Sequence, residues 1–122
     1  MAPFYHVIIA DDDIGVRAVL VHIVQQTYPG ATVSAVADGL AALHLYDQQG
    51  ADLVLTNHTM PRMSGISLIT ALRTRNPTVP IIMVSGDISQ AQAARAAGAT
   101  HFLAKPFTRA QIVQVLISVL PP

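Results

Sequence analysis

The segment VIIADDD, residues 7–13, decides the fold, because a run of four apolar residues stops abruptly at three carboxylates. Three later apolar runs also stop at a polar residue: LVLT at Asn57, IIMV at Ser85 and HFLA at Lys105. The carboxyl ends of parallel strands lie along one edge of a sheet. If these runs are parallel strands, an acidic group, an amide, a hydroxyl and an ammonium meet in one crevice.

The whole chain alternates strand-like and helix-like segments. Short apolar runs predict strands over residues 4–10, 32–36, 52–56, 81–84 and 101–104. The first helix has apolar residues at helical spacing, namely Val16, Val19, Leu20, Ile23 and Val24. Further helices are predicted, among them 64–75 and 89–97. The chain carries helix start and stop signals: Asp13 before the first helix and Asp38 before the second as caps, Gly50 and Gly98 as stops, and a capping box of Thr108 and Gln111. Five strand–helix pairs predict an α/β domain with a parallel sheet covered on both faces.

Length and composition exclude several classes of protein. A chain of 122 residues fits one domain, which we predict to span residues 1–122. Charged residues are only 11% and the formal net charge is zero, which argues against binding to nucleic acid or to an anionic membrane. Cysteine is absent, and we find neither a signal peptide nor a run of the roughly 20 apolar residues needed to span a bilayer. We therefore predict a cytoplasmic protein.

The three acids after the first strand have two interpretations. They can be first-turn carboxylates that face the positive end of the following helix. They can also hold a hard cation such as Mg²⁺, which prefers oxygen ligands. Asp13 fits the capping role, which leaves Asp11 and Asp12 for an ion. Lys105 precedes a proline and can reach a phosphate or pair with Asp12.

The run ends resemble a known family once their order is considered. VIIADDD, DLVLTN followed by TMPRMSG, IIMVSGD and GATHFLAKPF are similar to the successive motifs of response regulator receiver domains. The resemblance extends over essentially the whole chain. It implies a flavodoxin-like sheet with strand order 2-1-3-4-5 and five helices, and a role in two-component phosphorelay signal transduction instead of an enzyme activity.

The resemblance also implies a role for each run end. Asp11 and Asp12 match the family's metal-binding acidic pair, and Thr59 matches the residue that lends a backbone carbonyl to Mg²⁺. Ser85 and Phe102 match the switch hydroxyl and the switch aromatic. Lys105 matches the phosphate-binding lysine, with a cis peptide expected before Pro106.

Asn57 stands where the family has its phosphoacceptor aspartate. A carboxylate can attack phosphorus to form an acyl phosphate, whereas a neutral carboxamide is a far poorer nucleophile. We therefore expect a phosphorylation-deficient receiver with weakened Mg²⁺ binding, although the amide oxygen could still serve as a ligand. The sequence is equally compatible with an introduced substitution and with a natural pseudo-receiver that acts through protein contacts alone.

Other functions fit the sequence less well. A small Mg²⁺-dependent phosphohydrolase would use similar residues, but we find no room for a substrate cap and no second acidic run end. A flavin-binding module of the same fold would need a phosphate loop after the first strand. His58 lies beside Asn57, but the five histidines have no metal-ligand spacing.

The expected partners also follow from the resemblance. They are a sensor histidine kinase or phosphotransfer protein and a downstream protein target or output domain. The last helix carries a core stripe and beside it a second apolar stripe of Val113, Ile117 and Leu120. This wide apolar arc predicts either burial under a neighbouring helix or a weak homodimer through that helix.

Overall fold

Five parallel strands, in the order β2-β1-β3-β4-β5, form the centre of the molecule. The computed structural model describes residues 4–122, so the first three residues of the predicted domain lie outside it. The strands are β1 His6–Ala10, β2 Thr32–Val36, β3 Leu53–Thr56, β4 Ile81–Ser85 and β5 His101–Ala104. The helices are α1 Ile14–Thr27, α2 Gly39–Gln49, α3 Gly65–Arg75, α4 Ala91–Ala97 and α5 Arg109–Val119. The predicted α/β class, strand order and five helices are confirmed.

The sheet separates two apolar clusters. Val7 and Ile9 of β1 pack with α1 and α5, whereas Ile8 and Ala10 pack with α2, α3 and α4. Every residue of β3 and β4 is buried, as expected for central strands covered on both faces. Because alternate residues of a strand face opposite sides, each strand end presents its polar residue to a defined face.

Helix capping agrees with the sequence signals. Asp13 accepts hydrogen bonds from the amides of Gly15 (2.9 Å) and Val16 (3.1 Å), which confirms that it caps α1. The Thr108 hydroxyl and the Gln111 side chain form the predicted capping box of α5. Gly98 ends α4 with φ of 120°, a backbone angle that residues with a Cβ rarely adopt.

Several element boundaries differ from the prediction. β1 begins at His6 instead of residue 4, β3 begins one residue later than expected, and β4 extends to Ser85. The helix predicted over 89–97 is a 3₁₀ turn, Ile88–Gln90, followed by the short α4. Asp87 explains this change, because its carboxylate accepts from the Ser89 amide at 3.1 Å and so caps a separate turn.

The apolar faces of two helices are narrower than their patterns indicate. Val19, one of the apolar residues at helical spacing in α1, is 50% exposed. In the second stripe of α5, Leu120 is buried and Val113 packs against the core, which leaves only Ile117 exposed at 45%. Part of that stripe therefore completes the core. Among residues 4–122, no helix combines the length and apolar character needed to cross a membrane.

Candidate functional site

The polar strand ends meet at the carboxyl edge of the sheet, where backbone hydrogen bonds continue one residue beyond the strands. The amide of Asp11 donates to the Val36 carbonyl (3.1 Å), that of Asn57 to the Ala10 carbonyl (2.8 Å), and that of Lys105 to the Ser85 carbonyl (2.9 Å). These bonds hold the three backbones in register. The alternation of side chains therefore still applies at these positions.

Asp11 and Lys105 form an ion pair, with 3.0 Å between Nζ and Oδ2. The Asp11 side chain is 1% exposed and that of Lys105 is 21% exposed. The predicted pairing of Lys105 with Asp12 is therefore wrong. Alternation supplies the reason: Ile9 and Leu103 both face the cluster under α1 and α5, so Asp11 and Lys105, two residues later, share that face. This signal was present in the sequence.

Asp11 has further partners that sequence reasoning missed. Its Oδ1 accepts from the Asp13 amide at 2.9 Å, and its carbonyl accepts from Arg17 Nη1 at 2.8 Å. A buried carboxylate is costly unless it is paired and hydrogen-bonded. The ammonium and the amide together satisfy this requirement for Asp11.

The Asn57 carboxamide connects two loops. Its Nδ2 donates to Asp12 Oδ1 at 3.2 Å and to the Thr59 carbonyl oxygen at 3.1 Å. Asp12 lies between β1 and α1, and Thr59 lies between β3 and α3. The structure thus brings Asp12, Asn57 and the Thr59 carbonyl together, next to the Asp11–Lys105 pair.

Close packing fixes the backbone of Asn57. Gly65, the first residue of α3, lies so near that a Cβ there would stand 2.1 Å from the Asn57 carbonyl oxygen and 2.9 Å from the His58 Cα. The Gly65 amide also donates to the His58 carbonyl at 2.7 Å. Only glycine leaves space for this approach. Sequence reasoning did not single out Gly65.

Ser85 and Phe102 lie on the other face of the sheet. Met83 and Phe102 belong to the side covered by α2, α3 and α4, and alternation assigns Ser85 to the same side. The Ser85 hydroxyl accepts from the Asp87 amide at 3.1 Å, and within residues 4–122 no hydrogen bond joins it to the Asn57 side chain. The structure therefore brings these two residues to the same edge but outside the hydrogen-bond network of Asn57.

The loop that carries Thr59 is tied to the start of α2. Arg62 has φ of 65°, a left-handed conformation that is unfavourable for a residue with a Cβ. Its Nη2 lies 3.0 Å from Asp38 Oδ2, while Asp38 Oδ1 caps α2 through the Ala41 amide at 2.7 Å. The bond from Ala41, assisted by Arg62, lowers the pKa of Asp38. One carboxylate therefore supports both the helix and the loop.

Two further features lie beside this network. His58 Nδ1 is buried without a hydrogen-bond partner, and residues 4–122 contain no group of three or more histidine or acidic side chains placed to hold a metal. A groove of about 570 Å³ lies next to Lys105, and its walls are formed by Asp13, Gly15, Val16, Val19, Pro106 and Phe107. The peptide between Lys105 and Pro106 is cis, as predicted.

The donor set fits a magnesium ion only in part. The Asp12 carboxylate and the Thr59 carbonyl are oxygen donors of the kind that Mg²⁺ prefers. However, Asn57 turns its NH₂ group toward both oxygens, and Lys105 already neutralises Asp11. A cation could be held only after the carboxamide turned its oxygen inward.

Comparison with known proteins agrees with this architecture. The family profile described as "Response regulator receiver domain" matches residues 7–117. The chain is 31% identical over 119 residues to the glycerol metabolism activator of Pseudomonas putida, covering 95% of this chain and 54% of that protein. It spans about half or less of the length of the curated relatives that it matches.

Solved structures give the same result. The chemotaxis response regulator CheY4 of Vibrio cholerae superposes with a TM-score of 0.87 at 30% identity, covering 97% of this chain and all of that one. CheY of Borrelia burgdorferi, solved in a complex with CheX, BeF₃ and Mg²⁺, gives a TM-score of 0.84 at 29% identity, over 97% and 90% of the two chains. Sequence profile and fold therefore agree that this chain belongs to the response regulator receiver domain family of two-component signalling.

Proposed function

We propose that this chain is a receiver domain in which Asn57 occupies the phosphoacceptor position, so that it accepts no phosphoryl group. The observation that carries the proposal is the place of the Asn57 carboxamide at the end of β3, between Asp12 and the Thr59 carbonyl. Lys105 lies beside this group, paired with Asp11, as a phosphate-binding cation would. These contacts support the assignment of Asn57 and Lys105 to the acceptor and counterion positions of a phosphoryl-transfer site.

The chemistry of the amide blocks the transfer step. A carboxylate oxygen attacks phosphorus with a full negative charge and gives an acyl phosphate. The carboxamide oxygen is neutral, and its nitrogen is already engaged in two hydrogen bonds. Without an acceptor, Lys105 and Ser85 have no phosphoryl group to bind in this chain.

Metal binding is weakened by the same residue. A carboxylate at this position would add one negative charge near the ion, and each charge at about 4 Å gives a gross attraction of about 8 kcal/mol for a divalent ion at an effective dielectric near 20. Desolvation removes most of that gross value. Asp11, Asp12, Asn57 and Thr59 remain the groups that would hold Mg²⁺, with lower affinity.

The remaining function is a switch of protein contacts. Phe102 is half-buried against the α2–α4 side, and Ser85 lies at the end of the neighbouring strand, so the family's two switch positions are filled by suitable residues. The partners are a histidine kinase or phosphotransfer protein on one side, and a protein target or output domain on the other. Both the natural pseudo-receiver and the silenced ordinary receiver are consistent with this arrangement.

The first prediction concerns phosphoryl transfer. With Mg²⁺ and a small-molecule phosphodonor, we expect the chain to gain no phosphoryl mass, whereas Asn57→Asp gains one group that is labile to base. The added carboxylate supplies the nucleophile and raises Mg²⁺ affinity. Intact-mass spectrometry measures the adduct, and Mg²⁺ titration measures the affinity. Gln114→Glu, an exposed change that adds a carboxylate on α5, controls for added charge.

Two outcomes would contradict the proposal. A stoichiometric adduct on the unchanged chain would show that a different residue accepts phosphate. An Asn57→Asp variant that folds, but neither binds Mg²⁺ more tightly nor takes up phosphate, would show that Asp11, Asp12, position 57 and Lys105 do not form a phosphoryl-transfer pocket.

The second prediction concerns self-association through α5. Ile117 is the member of the predicted stripe that remains exposed, so we expect weak dimerisation that Ile117→Glu reduces. Ser118→Glu places the same charge on the neighbouring exposed position and serves as the control. Sedimentation velocity over a range of concentrations measures the effect. A chain that stays monomeric at high concentration, with the same profile for Ile117→Glu, would rule out this interface.

A further inference from the structure

We propose that the Asn57 carboxamide takes the structural place of a cation, joining the two loops of the pocket and holding it in one arrangement without metal. This inference deepens the function proposed above, since it concerns the same pocket. It adds a positioning role to Asn57 that goes beyond the loss of an acceptor.

The NH₂ group of Asn57 can donate to two acceptors at once. A primary amide has two N–H donors in a fixed planar arrangement. In this chain both have acceptors, Asp12 Oδ1 at 3.2 Å and the Thr59 carbonyl oxygen at 3.1 Å. The two acceptors belong to different loops, at the ends of β1 and β3. The amide therefore acts as a cross-link between elements that are distant in sequence.

The two acidic residues of the pocket, Asp11 and Asp12, are both compensated within the protein. Asp11 is paired with Lys105, and Asp12 receives a hydrogen bond from Asn57. Each member of the acidic pair thus has its own partner within the protein. With a carboxylate at position 57, Asp12 and the Thr59 carbonyl would face a third acceptor and repel it in the absence of a cation. The amide removes that repulsion and adds attraction.

The amide of Asn57 is oriented with its nitrogen toward the two loop oxygens. A half-turn of the side chain would place its oxygen against two other oxygens and break both hydrogen bonds. A metal ion therefore has to compete with the amide's own NH₂ group for the same two ligands. The pocket is preorganised against Mg²⁺, and its loops stay joined when no ion is bound.

Hydrogen exchange of the side-chain amides tests the cross-link directly. The chain has two asparagines, Asn57 and Asn76, and both are half-buried. Asn76 uses its oxygen, which accepts from the amides of Thr78 and Val79, so its NH₂ is the internal control. In metal-free protein we expect the NH₂ protons of Asn57 to exchange at least tenfold more slowly than those of Asn76. Equal exchange rates would overturn the proposal.

Thermal unfolding with and without Mg²⁺ supplies a second readout. Asn57→Ala removes the cross-link without adding charge, so we expect it to lower the melting temperature by about 5 °C, with little response to Mg²⁺. Asn57→Asp should melt at least as low without metal and recover when Mg²⁺ is added. The unchanged chain should be insensitive to Mg²⁺ at concentrations that stabilise Asn57→Asp.

These outcomes separate the inference from the proposed function. If Asn57→Asp takes up phosphate but Asn57→Ala melts like the unchanged chain, the cross-link is refuted and the receiver assignment stands. If Asn57→Ala is destabilised but Asn57→Asp takes up no phosphate, the cross-link stands and the acceptor assignment fails.

Discussion

Asn57 depends on one glycine for its position. The Gly65 Cα packs on the Asn57 carbonyl, and the same carbonyl accepts from the Thr56 hydroxyl at 2.8 Å. The carboxamide can reach Asp12 and Thr59 only while that backbone stays in place. Gly65 is thus a positioning residue for the pocket, although it contributes no side chain.

The third prediction is that Gly65→Ala disrupts the pocket. The added Cβ would clash with backbone atoms of Asn57 and His58, which cannot move without disturbing the loop. We therefore expect a loss of about 2 kcal/mol in the free energy of unfolding. Gly86→Ala is the matched control, because a Cβ at Gly86 meets nothing within 4 Å. Chemical denaturation of both variants measures the difference. Equal stabilities would show that the loop relaxes to accept the methyl group.

The ends of the apolar runs predict which residues of the pocket meet, but they do not by themselves predict how those residues pair. The run ends correctly indicated that Asp11, Asp12, Asn57 and Lys105 share one edge. The partner of Lys105 follows from the alternation of side chains along β1 and β5, which the run ends taken alone do not include. The role of Gly65 depends on a contact between two backbones, which leaves no pattern in the residue types.

The β3–α3 loop contains the one residue other than glycine that has a positive φ among residues 4–122. Arg62 adopts a left-handed backbone and is anchored to Asp38, whose carboxylate also caps α2. The left-handed region costs a residue with a Cβ about 1 kcal/mol or more. The ion pair stabilises the loop by less than this cost, because its arginine side chain is 58% exposed. The rest of the loop must therefore hold Arg62 in this conformation.

The fourth prediction separates strain from the ion pair. Arg62→Ala loses the ion pair and keeps the strain, so we expect it to be less stable than the unchanged chain by under about 1 kcal/mol. Arg62→Gly loses the same ion pair but relieves the strain, so its free energy of unfolding should exceed that of Arg62→Ala by about 1 kcal/mol. Urea unfolding gives the order of the two. If the alanine and glycine variants are equally stable in urea, Arg62 does not adopt the left-handed conformation.

Element boundaries were predictable where a cap or stop has a side-chain or glycine signature. Asp13, Asp38, Gly98 and the Thr108 capping box all lie where the sequence indicated. The interruption before α4 was not predicted, because Asp87 and Ser89 are compatible with both a helix start and a separate turn. Hydrogen bonding within the loop between β4 and α4 decides between them.

Two tyrosines, Tyr28 at the end of α1 and Tyr5 just before β1, join these elements to the segment that follows α5. The buried Tyr28 hydroxyl donates to the Leu120 carbonyl at 2.8 Å, and the Tyr5 hydroxyl donates to the Pro121 carbonyl at 2.6 Å. The rings meet edge to face with centroids 5.4 Å apart. This arrangement anchors the end of α5, the helix proposed to mediate self-association.

The fifth prediction is an alkaline loss of stability that depends on Tyr28. Burial raises the pKa of Tyr28 to about 12, above its ordinary value of 10.0. The folded state therefore favours the neutral phenol. The resulting contribution of Tyr28 to the free energy of unfolding is complete below pH 10 and is lost as the pH rises toward 12. Tyr28→Phe should lower stability by about 1 kcal/mol at neutral pH and reduce the alkaline decline.

Tyr46→Phe is the control for that experiment, because among residues 4–122 the hydroxyls of Tyr5 and Tyr28 donate hydrogen bonds and that of Tyr46 does not. Denaturant unfolding at pH 7 and at several values between 10 and 12 compares the three proteins. An alkaline decline in Tyr28→Phe as steep as in the unchanged chain would assign the effect to other groups.

The topology of the whole molecule was the most predictable level. Five apolar runs with helical segments between them allow few arrangements once crossovers are right-handed, and the strand order followed from the family resemblance. Which apolar side chains stay exposed was less predictable. Val19 belongs to the apolar pattern of α1 but is exposed, because a helical stripe does not reveal how far neighbouring elements extend.

The ion pair between Asp11 and Lys105 gives this domain a natural spectroscopic label. Lys105 is the only lysine among the seven basic residues, so the chain has a single side-chain ammonium group, and it lies in the pocket. One lysine Nζ resonance, or one lysine site of reaction with an amine-specific reagent, therefore reports on Asp11 and its surroundings without any introduced probe. The state of the pocket can be followed in the unaltered protein while partners are added.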